Sequence, residues 1–204
     1  MSYKNIECDK ILLISDTHGD NETYKKIIKK NKPDVVLHAG DFYDSKSRDS
    51  FDLDSFKKVV NFYIEGNHGI KEKNIEYIKK VTDKKEGKTR RLFMYKKLIK
   101  DYEIVKLNGE NFLLIHVFDD EKYNFFCDDE WFMYRLKLNR LIRKNKISYV
   151  VFGHSHKVEM VQYDKFLAIN PGSLTAPENE GQGTYAIGLW DKKEKKFNFK
   201  IKTV

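Results

Sequence analysis

Residues 150–160 read VVFGHSHKVEM: an apolar run, a glycine, then two histidines two positions apart. In extended chain, residues i and i+2 project to the same side, about 7 Å apart. Gly153 lets the backbone turn sharply or pass close to another group. His154 and His156 therefore either face water at a polar strand end or converge on a point beyond it, where imidazoles commonly meet a metal ion. The stretch alone leaves both readings open; the other strand ends bear on the choice.

Strand-like apolar runs recur at 11–15 (ILLIS), 34–38 (DVVLH), 59–64 (VVNFYI), 112–117 (FLLIHV) and 148–152 (SYVVF). Several are near-continuous rather than alternating, the pattern of strands covered on both faces. The first run leads into SDTHGD, with Asp16 and His18, and the second into HAGDFYD, with Asp41 after Gly40. The third leads into EGNHG, with Asn67 and His68; the fourth ends in His116 and the fifth in GHSH. Ligands of open α/β sheets bind beyond the carboxyl ends of the strands. Five of the six histidines lie at such ends, too ordered an arrangement for water-facing accidents. The sixth, His38, reads as a core or supporting histidine, and Asp44, Asp119 and Asp120 read as solvated loop acids.

A buried set of carboxylates and imidazoles without a cation would carry unpaired charge at considerable cost. Asp16, Asp41, His18, His116, His154, His156 and Asn67 make seven side chains, more than one zinc-type site takes. Two ions about 3.5–4 Å apart, sharing one carboxylate, would use them all. Two divalent ions against two carboxylates leave excess positive charge, which suits an anionic substrate such as a phosphate ester. The mixed nitrogen and oxygen ligands suit divalent transition metals, manganese first and iron, zinc or nickel next, better than magnesium alone.

The remaining chain frames this site. Residues 21–30 place Tyr24, Ile27 and Ile28 on one helical face, with Asp20 or Asn21 as N-cap. Residues 129–144 form the longest helical pattern, and Asn108-Gly109 between apolar runs predicts a tight hairpin. Further strands are expected at 158–163, 166–170, 184–190 and 197–203, giving two packed sheets flanked by helices. The 204 residues suit one domain, 1–204, without linker or repeat. Apolar runs fall far short of a membrane span, and the start of the chain has no secretory pattern. Cys8 and Cys127 lack metal-type spacing. A cytoplasmic protein without membrane association is expected. The net charge of +8 is mostly lysine, with the densest basic stretch at 84–100; solvated surface accounts for most of it. Nucleic acid is therefore a less favoured partner than a small phosphoester, and self-association is left open.

The ordered series DTHG, GD, GNH, a strand-end histidine and GHSH resembles the calcineurin-like metallophosphoesterase superfamily. NPGS at 170–173 and TYAI at 184–187 are similar to its small, single-domain prokaryotic phosphodiesterase branch. The resemblance implies an α/β fold, a four-layer α-β-β-α sandwich of two mixed sheets flanked by helices. It also implies that Asp16, His18 and His156 hold one metal, Asn67, His116 and His154 the other, and that Asp41 bridges them. The expected activity is a phosphodiesterase that hydrolyses esters by in-line attack of a metal-bridging hydroxide, with His68 as proton donor to the leaving group. The alternatives are a phosphomonoesterase, a nuclease or a dinucleoside-polyphosphate hydrolase. A further one is a non-catalytic scaffold, like the retromer subunit that shares the fold.

Three positions depart from that pattern. Gly69 follows His68 where relatives usually place Asp or Glu, so the acid that would orient His68 is missing. Phe118 replaces the second histidine of a usual His-Gly-His, and Glu178 stands where the branch often has arginine. Two stretches also look longer than the family core needs. One is 71–100, basic and helical; the other is 119–132, acidic and aromatic, which is either a surface loop or a wall of the site.

Overall fold

A computed structural model of the chain describes residues 4–42, 60–64, 102–118, 128–175 and 181–204. Asn67, His68, Gly69, Glu178 and the 71–100 stretch lie outside the described residues, as does 119–127 of the acidic stretch. The described strands are β1 (Asn5–Ile6), β2 (Lys10–Ile14), β3 (Val35–His38), β4 (Val60–Tyr63), β5 (Tyr102–Leu107) and β6 (Glu110–Ile115). They continue with β7 (Tyr149–Val151), β8 (Val158–Gln162), β9 (Leu167–Pro171), β10 (Thr184–Asp191) and β11 (Lys196–Thr203). Helix α1 (Asn21–Asn31) joins β2 to β3, and α2 (Asp128–Lys144) precedes β7.

The strands form two mixed sheets, one ordered β1-β5-β6-β7-β9-β8 and the other β11-β10-β2-β3-β4. Alternation along each central strand explains the unbroken apolar runs. On β2, Ile11 and Leu13 join the cluster between the sheets, while Leu12 and Ile14 pack with Tyr24 and Ile27 of α1. On β6, Phe112 and Leu114 point into the same inter-sheet cluster, while Leu113 and Ile115 meet Leu138 and Ile142 of α2. Both faces of these central strands are thus covered, in the four-layer order α-β-β-α.

The local signals act as expected. Asp20 caps α1 by accepting from the Thr23 amide at 2.9 Å. Lysines 29 and 30 face the negative end of the helix dipole, and Lys32 closes the helix in the left-handed region with its amide on Ile28 O. Asn108 (φ 48°) and Gly109 (φ 88°) turn the β5–β6 hairpin, as a two-residue loop with both φ positive requires. The Asn108 side chain also accepts from the Cys8 amide at 2.8 Å and donates to the Cys8 carbonyl, pinning the turn to the start of β2.

Strands β2, β3 and β4 run parallel in one sheet, and β6, β7 and β9 in the other. Among the described residues, the segments just after β2, β3, β6 and β7 carry the candidate ligands Asp16, His18, Asp41, His116, His154 and His156. Among the described residues no helix is long and apolar enough to cross a membrane.

Leu13 is wholly buried between the sheets, whereas Leu189 on β10 is 47% exposed. Leu13→Ala should lower unfolding free energy by about 2–5 kcal/mol. Leu189→Ala should change it by no more than about 0.5 kcal/mol, both read from denaturant midpoints.

Candidate metal centre

After β2 the chain turns at once, and Asp16 (φ 52°) and His18 (φ 43°) both adopt left-handed backbone. Asp41 (φ 53°), His154 (φ 72°) and His156 (φ 55°) do the same beyond β3 and β7. Such conformations cost a non-glycine residue free energy and persist only where the surroundings over-determine them. Of the nine non-glycine positive-φ residues described, these five are candidate ligands, so the strain is concentrated at this site. Backbone hydrogen bonds knit the loops: Asp16 N donates to Gly40 O at 3.0 Å, His18 N to Asp41 O at 3.0 Å, and Gly153 N to His116 O at 3.0 Å.

Asp16 is wholly buried. Its Oδ2 accepts from the Ser15 hydroxyl and from the His154 amide at 3.1 Å. Its Oδ1 is buried and receives no hydrogen bond. That oxygen lies 3.2 Å from His156 Nε2 and 4.0 Å from His18 Nε2, and the two ring nitrogens are 3.3 Å apart. A buried carboxylate oxygen without a donor is costly unless something else takes its lone pairs. Two imidazole nitrogens aimed at the same small volume complete a three-sided cradle for a cation.

A second group joins it. Asp16, Asp41 and His116, all buried, also bring one ligand atom each within 4.8 Å of one another. His116 Nε2 is 3.4 Å from Asp41 Oδ2, while its Nδ1 lies 2.8 Å from Ala39 O. Donation from Nδ1–H to that carbonyl fixes the tautomer and leaves Nε2 to face the carboxylate, the arrangement that orients metal-ligating histidines. The His154 ring stands edge-on to His116, with centroids 5.1 Å apart. Asp16 belongs to both groups, and Asp41 to the second.

The electrostatics agree with this reading. Burial alone would raise the Asp16 pKa, but the imidazoles of His156 and His116 and the Ser15 hydroxyl hold it below the usual carboxylate range. Burial would lower the His116 pKa, yet the Asp41 carboxylate beside it and the charge of Asp16 raise it. The site draws positive charge onto itself. Among the described residues, two groups, Asp16 with His18 and His156 and Asp16 with Asp41 and His116, each have the chemistry to hold a cation.

His38 is not part of the cradle. It accepts the Gly40 amide on Nδ1 at 3.2 Å, and its Nε2 lies 3.1 Å from the Thr17 hydroxyl. The hydroxyl in turn donates to Phe42 O at 3.3 Å. Complete burial pushes the His38 pKa down to about 3, so it is a neutral brace between the two aspartate loops. Phe118 leaves the site entirely: it is buried against Phe152 and the α2-facing cluster, with its ring centroid 5.1 Å from that of Phe152.

Other residues that hold the ligands were less visible in the sequence. Asn170 donates to Gly153 O and Ser155 Oγ, each at 3.0 Å, and accepts the Gly172 amide at 2.9 Å. Ser173 Oγ donates to Asp16 O at 2.9 Å, and Thr175 Oγ1 to Thr17 O at 3.1 Å. The NPGS segment therefore ties the loop of His154 and His156 to the loop of Asp16 and His18. Its sequence marked a resemblance; nothing in it announced these partners.

A Cβ at Gly153 would overlap Ser15 Oγ and lie 2.5 Å from Asp16 Oδ2. Gly153→Ala should displace Asp16, lower stability by about 1–3 kcal/mol and reduce bound metal, read by elemental analysis of the folded fraction.

The sequence profile of the calcineurin-like phosphoesterase superfamily domain matches residues 10–193. The chain is 25% identical over 170 residues to a protein of Mycoplasma pneumoniae described as a probable metallophosphoesterase, covering 83% of this chain and 82% of that one. Its fold is similar to that of an archaeal phosphodiesterase (TM-score 0.58, 21% identity, 95% of this chain and 99% of the other). It is also similar to zinc-complexed Vps29 from Entamoeba histolytica (TM-score 0.55, 12% identity, 95% and 98%). At those identities the two structures speak for the fold alone. With the profile covering nearly its whole length, the chain belongs to the calcineurin-like phosphoesterase superfamily.

Proposed function

We propose that the protein is a phosphodiesterase working with two divalent transition-metal ions, manganese being the first candidate. The observation that carries the reading is Asp16 Oδ1, buried without a hydrogen bond and facing His18 and His156 Nε2. Asp16, His18 and His156 would hold one ion, and Asn67, His116 and His154 the other, with Asp41 between them. Ions bound there would supply a water acidified toward neutral pH and positive charge for the phosphoryl oxygens.

The chain's own residues set up that chemistry. Asp16 and Asp41, on loops tied together through Gly40 and His18, keep two carboxylates close at the bottom of the site. Ala39 O and Asp41 hold His116 in one orientation. His68 is the proposed proton donor to the departing oxygen, a step worth about 10²–10⁴ in rate. The fold likeness to Vps29 is compatible with a protein-binding scaffold. Retention of Asp16, Asp41, His18, His116, His154, His156 and Asn67 favours the enzyme.

The central test strips the protein of metal, restores each ion singly, and assays aryl diesters, monoesters, cyclic nucleotides and single-stranded DNA. Turnover of aryl diesters, highest with manganese or a similar ion, is expected; no turnover with two ions confirmed bound would hand the reading to the scaffold. Asp41→Asn should lower metal content and nearly abolish hydrolysis. If Asp16→Asn releases both ions while Asp41→Asn keeps one, the bridge is Asp16.

His68→Ala should slow alkyl diesters much more than p-nitrophenyl diesters, whose leaving group needs little proton assistance, with metal content unchanged. Equal losses on both would assign His68 to phosphate binding instead.

A further inference from the structure

Two of the outermost strands in the sheets differ sharply in their side chains. β11, at the edge of one sheet, carries Lys196, Lys200 and Lys202 on alternate positions. Charged side chains of this kind blunt an edge against pairing with another chain. β8, at the edge of the other, reads VEMVQ and has no lysine within it. Val158, Met160 and Val161 are 44%, 42% and 44% exposed.

The backbone of β8 is also directional. Tyr163 N donates to Phe166 O at 2.9 Å, which sets the alternation of the β8–β9 ladder. In the observed register, Val161↔Ala168 and Glu159↔Asn170 are then the hydrogen-bonded pairs. Val158↔Pro171, Met160↔Ile169 and Gln162↔Leu167 are the non-bonded ones, as the missing proline N–H at Pro171 requires. The N–H and C=O groups of Val158, Met160 and Gln162 therefore point outward, and among the described residues no other strand pairs with β8 on that side.

We propose that β8 is a self-association edge, and that two copies of the chain pair their β8 strands antiparallel about a twofold axis at Met160. The outward groups are self-complementary there: Met160 lies opposite Met160, and Val158 opposite Gln162 of the other copy. Such a pairing forms about six inter-chain hydrogen bonds. Glu159 is the only charged residue within the strand, and this register sets it opposite Val161, so like charges are not directly opposed. A second copy satisfies every outward group at once, as an isologous interface does.

The test measures oligomeric state by sedimentation over a range of protein concentrations, together with amide hydrogen exchange. A concentration-dependent dimer is expected, in which the amides of Val158, Met160 and Gln162 gain protection as the dimer fills. Met160→Lys sets two lysines against each other at the axis and should weaken the dimer by about tenfold or more. Its circular dichroism and metal content should match those of the unaltered chain. Should Met160→Lys fail to fold, the exchange data on the unaltered protein decide alone. A monomer at every concentration overturns the proposal, and so does a dimer whose β8 amides stay unprotected. Metal binding and turnover are read separately, so failure here leaves the diesterase reading standing.

Discussion

The Asp16 carboxylate is the group on which the site turns. It sits beyond the central strand β2, wholly buried, with one oxygen held by Ser15 and the His154 amide and the other given no hydrogen bond. Folding must desolvate it whether or not a cation is present, so the protein carries that penalty permanently and recovers it through a positive partner. The contact from His154 N to Asp16 Oδ2 also crosses between the sheets, because β2 belongs to one and β7 to the other. A single carboxylate is thus a candidate ligand, a link between layers, and the reason the loops approach so closely.

That approach explains the strain. Left-handed backbone at Asp16, His18, Asp41, His154 and His156 sends each chain sharply away from its strand while the side chain stays behind over the site. Neutral hydrogen bonds offset the cost. His38 and Thr17 link the Asp16 and Asp41 loops, Asn170 holds the Gly153 loop, and Ser173 and Thr175 hold the backbone of Asp16 and Thr17. Most of these supports touch backbone atoms of the ligand loops rather than ligand side chains. They fix position without competing for the lone pairs that a metal would take.

Phe118 shows how a departure from a familiar motif can be structural. As the residue that replaces a second histidine, it looks in the sequence like a loss at the site. In the fold it belongs to the aromatic group of Phe152, Tyr163 and Phe166, on the α2 side of its sheet. The Phe118 side chain therefore packs into the cluster that faces the helix layer, where an apolar ring is what the packing asks for.

Much of this protein was legible in one dimension because the physics involved is local or periodic. Apolar runs such as Ile11–Ile14 state that both faces of a strand are covered, Asp20 or Asn21 announces a helix start, and Asn108-Gly109 dictates a turn. Strand ends bearing Asp and His could be read as ligands because parallel strands deliver their carboxyl ends to one side. Other features depended on atoms far apart in sequence. That Asp16 lies in both candidate groups, which atoms the supporting His38 braces, and that Asn170 ties down the Gly153 loop all rest on tertiary distances. The outward hydrogen-bonding groups of β8 likewise follow from its register on β9, not from its residues. Periodicity specifies which face a side chain takes; only the packing of one sheet on the other decides what it meets there.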